Sequence, residues 1–161
     1  MVSLFRRNRR QPPVLPEDCG TPDREGHTPA DLVVSYLDAL YAWELRAFKA
    51  AGVVGALPPQ VLADLGAIRE AHLTSRALAT NATVSFGNAP ASDTNGMTVV
   101  DVTQRDPRHA LVRTTEYPYD SRRAGLDPQG YEYRLALVDG RWRLNSRTTK
   151  DWDDHKIRGL L

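Results

Sequence analysis

The strongest pattern in the chain is a pair of alternating apolar and polar runs near its end, over residues 131–150. Asp139-Gly140 separates the two runs, and this dipeptide is typical of the type I′ turn, whose two central residues both have positive φ. The pattern therefore predicts a β-hairpin. Alternation places one set of side chains on a packed face: Tyr131, Tyr133, Leu135, Leu137, Trp142 and Leu144. It places a charged set on the opposite face: Glu132, Arg134, Arg141, Arg143 and Arg147.

Helical spacing of apolar residues dominates an earlier part of the chain. Thr28-Pro29-Ala30-Asp31 combines an N-cap residue, a proline at the first helical position and an acid where a capping box needs one. The apolar spacing continues from there to Gly52 and resumes over residues 59–79. The sequence therefore predicts two helices.

Short apolar or alternating segments separated by turn residues lie between the second helix and the hairpin. They cover residues 83–86, 97–103 and 109–117, and a polar loop follows over residues 119–130. Two helices followed by about five strands predict an α+β domain, with a curved antiparallel sheet wrapped around the helices.

The first 27 residues have a different composition from the rest. They contain four prolines, an arginine cluster over residues 6–10 and little hydrophobic periodicity. Such a segment is typical of a solvated tail, although its basic cluster could contact anionic lipid or RNA. We therefore predict a flexible tail over residues 1–27 and one domain over residues 28–161.

Composition narrows the class of protein. The chain has 161 residues, with 21 Lys and Arg against 20 Asp and Glu, and this balance does not indicate a nucleic-acid binder. The single cysteine, Cys19, has no partner for an internal disulfide. The apolar runs of the chain are far shorter than the roughly 20 residues of a membrane span. We therefore expect a cytoplasmic protein without a membrane span.

Two segments resemble a known family. They are Tyr36-Leu-Asp-Ala-Leu-Tyr-Ala-Trp-Glu44 on the first predicted helix and the hairpin from Tyr131 to Arg147. Together with the order of the elements, they resemble the nuclear-transport-factor-2-like (NTF2-like) superfamily, and within it the NTF2-fold immunity proteins, including those associated with Rhs polymorphic toxins. The resemblance implies a cone-shaped α+β fold and a cytoplasmic protein that neutralises a cognate toxin domain encoded beside it. It implies no cofactor and no catalytic residue.

The charged face of the hairpin is the predicted partner-binding surface. Arginine is enriched at protein interfaces because its planar guanidinium forms bidentate bonds with carboxylates. Trp152, in an acidic stretch after the hairpin, is a second candidate because buried tryptophans often anchor interfaces. The predicted contacts are Arg134, Arg141, Arg143, Arg147 and Trp152. They predict binding of an acidic or mixed toxin surface by occlusion, without turnover.

An alternative is a small-molecule enzyme or ligand binder that uses the interior of the cone, as isomerase-like and cyclase-like members do. Such a site needs a carboxylate or histidine in an apolar cavity, where desolvation tunes its pKa. Glu44, His72 and Asp101 are polar residues in or beside apolar rows. Structural roles explain Glu44 and His72 better than catalysis does. A glutamate on a helix face is more often the ion-pair partner of an arginine on the sheet, and a histidine beside an apolar stripe is usually a boundary residue. Asp101 can point to either face of its strand, because Val100 and Val102 compete with it for the core side. Since all three residues have a structural explanation, we expect no enzyme.

Two further possibilities concern metals and assembly. The four histidines show no ligand spacing, so no metal site is predicted. NTF2-like domains often pair through their sheets. A homodimeric scaffold is therefore a third class, which differs from a monomeric inhibitor in mass.

Overall fold

The computed structural model describes residues 10–54, 57–80, 94–117, 128–150 and 156–159. The helices are α1 (Pro29–Val54), α2 (Pro59–His72) and α3 (Ser75–Thr80). The strands are β1 (Thr98–Asp106), β2 (His109–Glu116), β3 (Gln129–Val138), β4 (Arg141–Lys150) and β5 (Lys156–Gly159). The described strands form one antiparallel sheet in the order β1-β2-β3-β4-β5, which confirms the α+β class. The strand predicted at residues 83–86 lies outside the described residues.

Helix α1 begins where the sequence predicts. The backbone N–H of Thr28 donates to Asp31 Oδ2 at 2.9 Å, and the N–H of Asp31 donates to Thr28 Oγ1 at 3.2 Å. This reciprocal pair is a capping box, which satisfies donors that the first helical turn leaves without partners. The helix continues to Val54, two residues beyond the predicted end.

One core joins α1 to the sheet. Its fully buried members come from both layers, and the largest of them are Tyr36, Met97, Tyr133, Leu135 and Leu144. A smaller cluster of Trp43, Ala47 and Leu65 lies between α1 and α2. In the described part of the chain, no helix is both long and apolar enough to cross a membrane.

The single second helix that the sequence predicts is divided into α2 and α3. The break occurs at Leu73-Thr74, where the N–H of Thr74 donates to the carbonyl of Leu144 at 2.9 Å. Strand β5 pairs only with residues 147–150 of β4, so Leu73 occupies another part of the same edge. Backbone pairing with the sheet thus interrupts the helix for two residues, which helical periodicity alone does not reveal.

The hairpin forms as predicted, and both residues of its turn have positive φ, 49° for Asp139 and 74° for Gly140. The alternation does not continue through β4. Leu135 lies opposite Leu144 and Arg134 lies opposite Ser146, so Asn145 is an extra residue in β4. Such a bulge reverses which face the following residues occupy. The prediction that Arg147 lies on the charged face is therefore wrong, because its side chain projects towards the helices.

Residues 10–27 lie against the domain, unlike the flexible tail that the sequence predicts for them. The N–H of Val14 donates to the carbonyl of Met97, and the N–H of Val99 donates to the carbonyl of Val14, both at 2.9 Å. The indole N–H of Trp142 donates to the carbonyl of Thr21 at 3.0 Å. These hydrogen bonds attach the segment to β1 and to the terminal hairpin. Local composition does not disclose these bonds, because every partner is distant in sequence.

Candidate functional site

A group of polar side chains lies between α1 and the sheet and is here called the interior polar cluster: Tyr36 of α1 and Thr114, Glu116, Tyr131, Tyr133 and Arg147 of the sheet. Its centre is the Glu116 carboxylate, whose side chain is only 8% exposed. Glu116 Oε1 accepts from the hydroxyls of Tyr133 at 2.7 Å and Thr114 at 2.6 Å. Glu116 Oε2 accepts from Arg147 Nη2 at 3.3 Å. Both oxygens are thus engaged, as a buried carboxylate requires.

Arg147 completes the charge balance of this cluster. It lies directly opposite Tyr133 in the β3–β4 pairing, and its side chain is 19% exposed. Its guanidinium lies 4.0 Å from the centre of the Tyr131 ring and 5.6 Å from that of Tyr133. Burial opposes its charged form, but Tyr133 and Glu116 outweigh burial and raise the pKa of Arg147. The cluster therefore holds a buried cation by an ion pair and cation–π contacts.

Two buried atoms of the interior polar cluster have no hydrogen-bond partner among the residues that the structure describes: Tyr36 OH and Arg147 Nε. Tyr36 is 1% exposed, and burial raises its pKa to about 12. The charge of Arg147 acts on Tyr36, so the two groups lie in the same part of the interior. A buried polar group without a partner costs about 1–3 kcal/mol, which a water or ligand that bonds to it would offset.

The sequence did not single out Glu116. Its signal is visible in retrospect, because Ala110, Val112, Thr114 and Glu116 alternate along one face of β2 and all four are buried. An acid that continues an apolar strand face is a candidate interior group. The sequence patterns instead indicated Glu44, His72 and Asp101 as candidate interior groups.

The predicted cavity residues occupy different places. Half-buried Glu44 lies on α1, and its charge raises the pKa of Tyr36. His72 is bonded through Nδ1 to the Ile68 carbonyl at 2.8 Å and through Nε2 to Ser35 Oγ at 3.3 Å. Its ring centre lies 5.4 Å from that of Tyr36, and burial lowers the pKa of His72. Both residues therefore lie around Tyr36.

Asp101 lies on the other side of the sheet. It faces Arg113 across the β1–β2 pairing, and its Oδ2 accepts from Arg113 Nη1 at 3.1 Å. Arg113 Nε also donates to Glu132 Oε1 at 3.3 Å on β3. A bulge at Val100 sets this orientation, because it shifts the register between Val99 and Asp101. Asp101 is thus part of a charge ladder across three strands, and it does not reach the interior.

The predicted interface arginines have three kinds of surroundings besides that of Arg147. Arg141 forms an ion pair with Glu25. Arg143 Nη1 donates to the carbonyls of Glu70, at 2.7 Å, and Ala71 in the last turn of α2. A cation there suits the negative end of a helix. Arg134 is exposed, and Trp152 lies outside the described residues.

A second site lies at the β1–β2 turn and is here called the outer pocket. Its volume is about 350 Å³. Its lining comes from four strands and comprises Arg105, Asp106, His109, Ala110, Leu111, Arg134, Leu135 and Asn145.

The charges in the outer pocket are unequally paired. The Asp106 carboxylate accepts from the Arg108 N–H at 2.7 Å and from His109 Nδ1 at 2.9 Å. The Arg108 hydrogen bond, followed by that of His109, holds the pKa of Asp106 below its usual range. Within the described ranges, Arg105 and Arg134 have no ion-pair partner. The pocket therefore has excess positive charge.

The described residues contain no group of three or more His, Cys, Asp or Glu side chains that could hold a metal ion. His155, one of the histidines considered above, lies outside those residues. Comparisons with protein families, curated proteins and solved structures find no match to the chain.

Proposed function

We propose that the chain is an immunity protein with an NTF2-like cone fold, which binds a cognate toxin domain and neutralises it by occlusion. The observation that carries this proposal is the contrast between the two faces of the sheet. The helix side is filled by large buried side chains, while the other side presents charged side chains on a hydrogen-bonded frame. A rigid charged surface is suited to partner recognition, since complementary charge gives association rate and specificity.

The arrangement of the elements supports the cone fold. Helix α1 packs against β1, β2 and β4, and the bulges in β1 and β4 are the kind that bend and twist a sheet. Helices that precede a bent antiparallel sheet are the layout that the sequence resemblance implies.

Binding is favoured over turnover by the state of the interior carboxylate. A general base needs an accessible lone pair within hydrogen-bond distance of its substrate. Glu116 instead accepts from Thr114, Tyr133 and Arg147 and is nearly enclosed. This arrangement is typical of a satisfied structural group.

The geometry changes the weight of the predicted contacts. Arg134 is exposed and retains its place in the proposed interface, together with Trp152 as a sequence-based candidate. Arg141 is paired with Glu25, and Arg143 donates to a carbonyl at the end of α2. We therefore place both at the margin of the proposed interface. Arg147 is the least suitable contact, because its charge is directed to Glu116.

The test is co-expression with the C-terminal domain of the protein encoded immediately upstream, scored by growth and by co-purification. The expected result is toxicity of that domain alone, rescue by this chain and a stoichiometric complex. Toxicity without rescue or complex, or no toxicity, would contradict the proposal. The mass of the purified chain, measured by light scattering, separates a monomeric inhibitor from a dimer that pairs through its sheet. We expect a cytoplasmic monomer.

A second candidate function has one observation in its favour. The Tyr36 hydroxyl and Arg147 Nε are two buried donors without a hydrogen-bond partner in the described ranges of the chain. A small ligand binder orients an acceptor group with a few such donors in a mostly apolar pocket. A screen of small carboxylates by thermal shift would test it. The candidate requires a stabilising compound whose effect disappears in Tyr36→Phe but persists in Ser35→Ala. No such compound, or equal stabilisation of both variants, would reject it.

A further inference from the structure

We infer that the outer pocket is the anchor point for a carboxylate side chain of a partner protein. This inference rests on the proposed function, whose binding surface it specifies. Its physical basis is the pair of arginines, Arg105 and Arg134, that line one concave site and form no ion pair with any residue that the structure describes.

The first support is the charge balance of the pocket. Of its four charged or titratable side chains, Asp106 and His109 are bonded to each other. Arg105 and Arg134 remain, and both are exposed with no ion pair within the described ranges. A guanidinium presents several N–H donors in a planar fork, which matches the two oxygens of a carboxylate.

The second support is the shape of the site. Leu111 lies directly opposite Arg134 in the β2–β3 pairing, and its half-buried side chain is an apolar part of the lining. Ala110 and Leu135 also line the pocket and belong to the buried core. Apolar walls lower the local dielectric constant and strengthen an ion pair that forms there. The volume of about 350 Å³ lies within the roughly 300–1,000 Å³ of ligand pockets. The site can therefore enclose a partner's side chain.

The surroundings favour an acidic protein segment over a nucleic acid. The Asp106 carboxylate lies in the pocket itself, and the Asp101–Arg113–Glu132 ladder adds two acids to the same sheet. A phosphate backbone carries a charge at every nucleotide and binds to extended basic surfaces. One local excess of positive charge between acids instead fits an isolated carboxylate.

The first experiment uses the full chain and a hexaglutamate peptide, followed by NMR at the side-chain Nε–H groups of Arg134 and Arg105. Both arginines line the pocket, and the Arg105 signal is also present in variants that lack Arg134. Saturable shifts are expected for the wild type and for Arg108→Glu, with loss of binding in Arg134→Glu. Arg108 is the matched control, because it is an exposed arginine of the β1–β2 turn that does not line the pocket. Absence of saturable binding, equal loss in both variants, or binding of an RNA oligonucleotide in place of the peptide would overturn the inference.

The second experiment measures affinity for the toxin domain described above. Truncation of a close interfacial charge pair costs several kcal/mol, so Arg134→Glu should weaken the complex about 100-fold and Arg108→Glu less than about fivefold. Reversal of the contacting toxin acid to arginine should restore binding to Arg134→Glu. Equal losses in the two variants would reject the pocket as the anchor and leave the immunity function standing. Peptide binding at Arg134 without any toxin complex would reject the immunity function and leave the carboxylate site standing.

Discussion

Arg134 and Arg147 belong to the same predicted hairpin and the same alternating pattern, yet they occupy opposite environments. Arg147 lies in the interior polar cluster, paired with Glu116 and stacked over Tyr131. Arg134 lies in the outer pocket with no ion pair in the described part of the chain. The comparison shows that a buried charge must be satisfied within the fold, whereas an exposed charge can be left available for a partner.

The largest difference between the two regions is expected on removal of these arginines. Arg147→Ala leaves Glu116 without its cation and should lower the free energy of unfolding by about 3 kcal/mol. Arg134→Ala should change it by less than about 0.5 kcal/mol, since surface changes are usually small. Urea unfolding of both variants checks this. Similar losses in the two would show that the interior ion pair has no special structural weight.

Alkaline pH should act on the interior through its tyrosines. Burial raises the pKa of Tyr36 to about 12, so the unfolded chain ionises first as pH rises above about 10. The contribution of the raised pKa of Tyr36 to the free energy of unfolding is complete below about pH 10. It disappears as the pH approaches 12, which lowers the free energy of unfolding by about 2–3 kcal/mol. Urea unfolding at about pH 8 and about pH 11.5 measures it. Tyr36→Phe should reduce the loss, and an unchanged loss in that variant would contradict the assignment to Tyr36.

Two tyrosines of the interior polar cluster allow the stability contribution of a hydrogen-bonded hydroxyl to be compared with that of a hydroxyl without a described partner. Tyr133→Phe removes a donor to Glu116 and should cost about 2 kcal/mol, because hydrogen bonds to charged groups are the stronger ones. Tyr36→Phe removes a buried hydroxyl that bonds to no other described residue, and should cost less than about 0.5 kcal/mol or stabilise the fold. Thermal and urea unfolding of the pair distinguish the two effects. A larger loss for Tyr36→Phe would mean that an ordered water or ligand bonds to that hydroxyl.

Removal of Arg143 should have an effect on stability that is intermediate between those of Arg147 and Arg134. Arg143→Ala removes hydrogen bonds to carbonyls at the end of α2 and should cost about 1 kcal/mol. Circular dichroism and urea unfolding would show it, with Arg134→Ala as the neutral reference. If Arg143→Ala costs nothing while it weakens toxin binding as much as Arg134→Glu does, the proposed interface extends across the whole predicted face.

Local signals in the sequence were sufficient for several elements. The start of α1 follows from Thr28 and Asp31, whose side chains and backbone amides satisfy each other within four residues. The hairpin follows from Asp139-Gly140, because few residues adopt positive φ readily. In both cases the stabilising partners are neighbours in the chain.

The candidate sites were less predictable, because their parts come from separate segments. Arg134 was identified from alternation, but Arg105, Asp106 and His109 join it only through the β1–β2–β3 pairing. Glu116 was overlooked, since its role depends on Arg147, which lies 31 residues further along the chain. The sequence leaves the face of Asp101 open and places Arg147 on the wrong face. In each case the cause is a bulge in the strand, at Val100 and at Asn145 respectively, which no local pattern marks.

The sequence by itself determined the α+β class, the start of the first helix and the turn of the terminal hairpin, because those features rest on propensity and on contacts between neighbouring residues. Tertiary structure alone decided which arginine is buried, where the second helix breaks and how residues 10–27 lie against the sheet. One extra residue in β4 reverses the face on which the following side chains of that strand lie. The edge of β4 also pairs at Leu144 with Leu73, which lies 71 residues earlier in the chain. Such outcomes depend on pairing between distant strands, for which the linear pattern carries no signal.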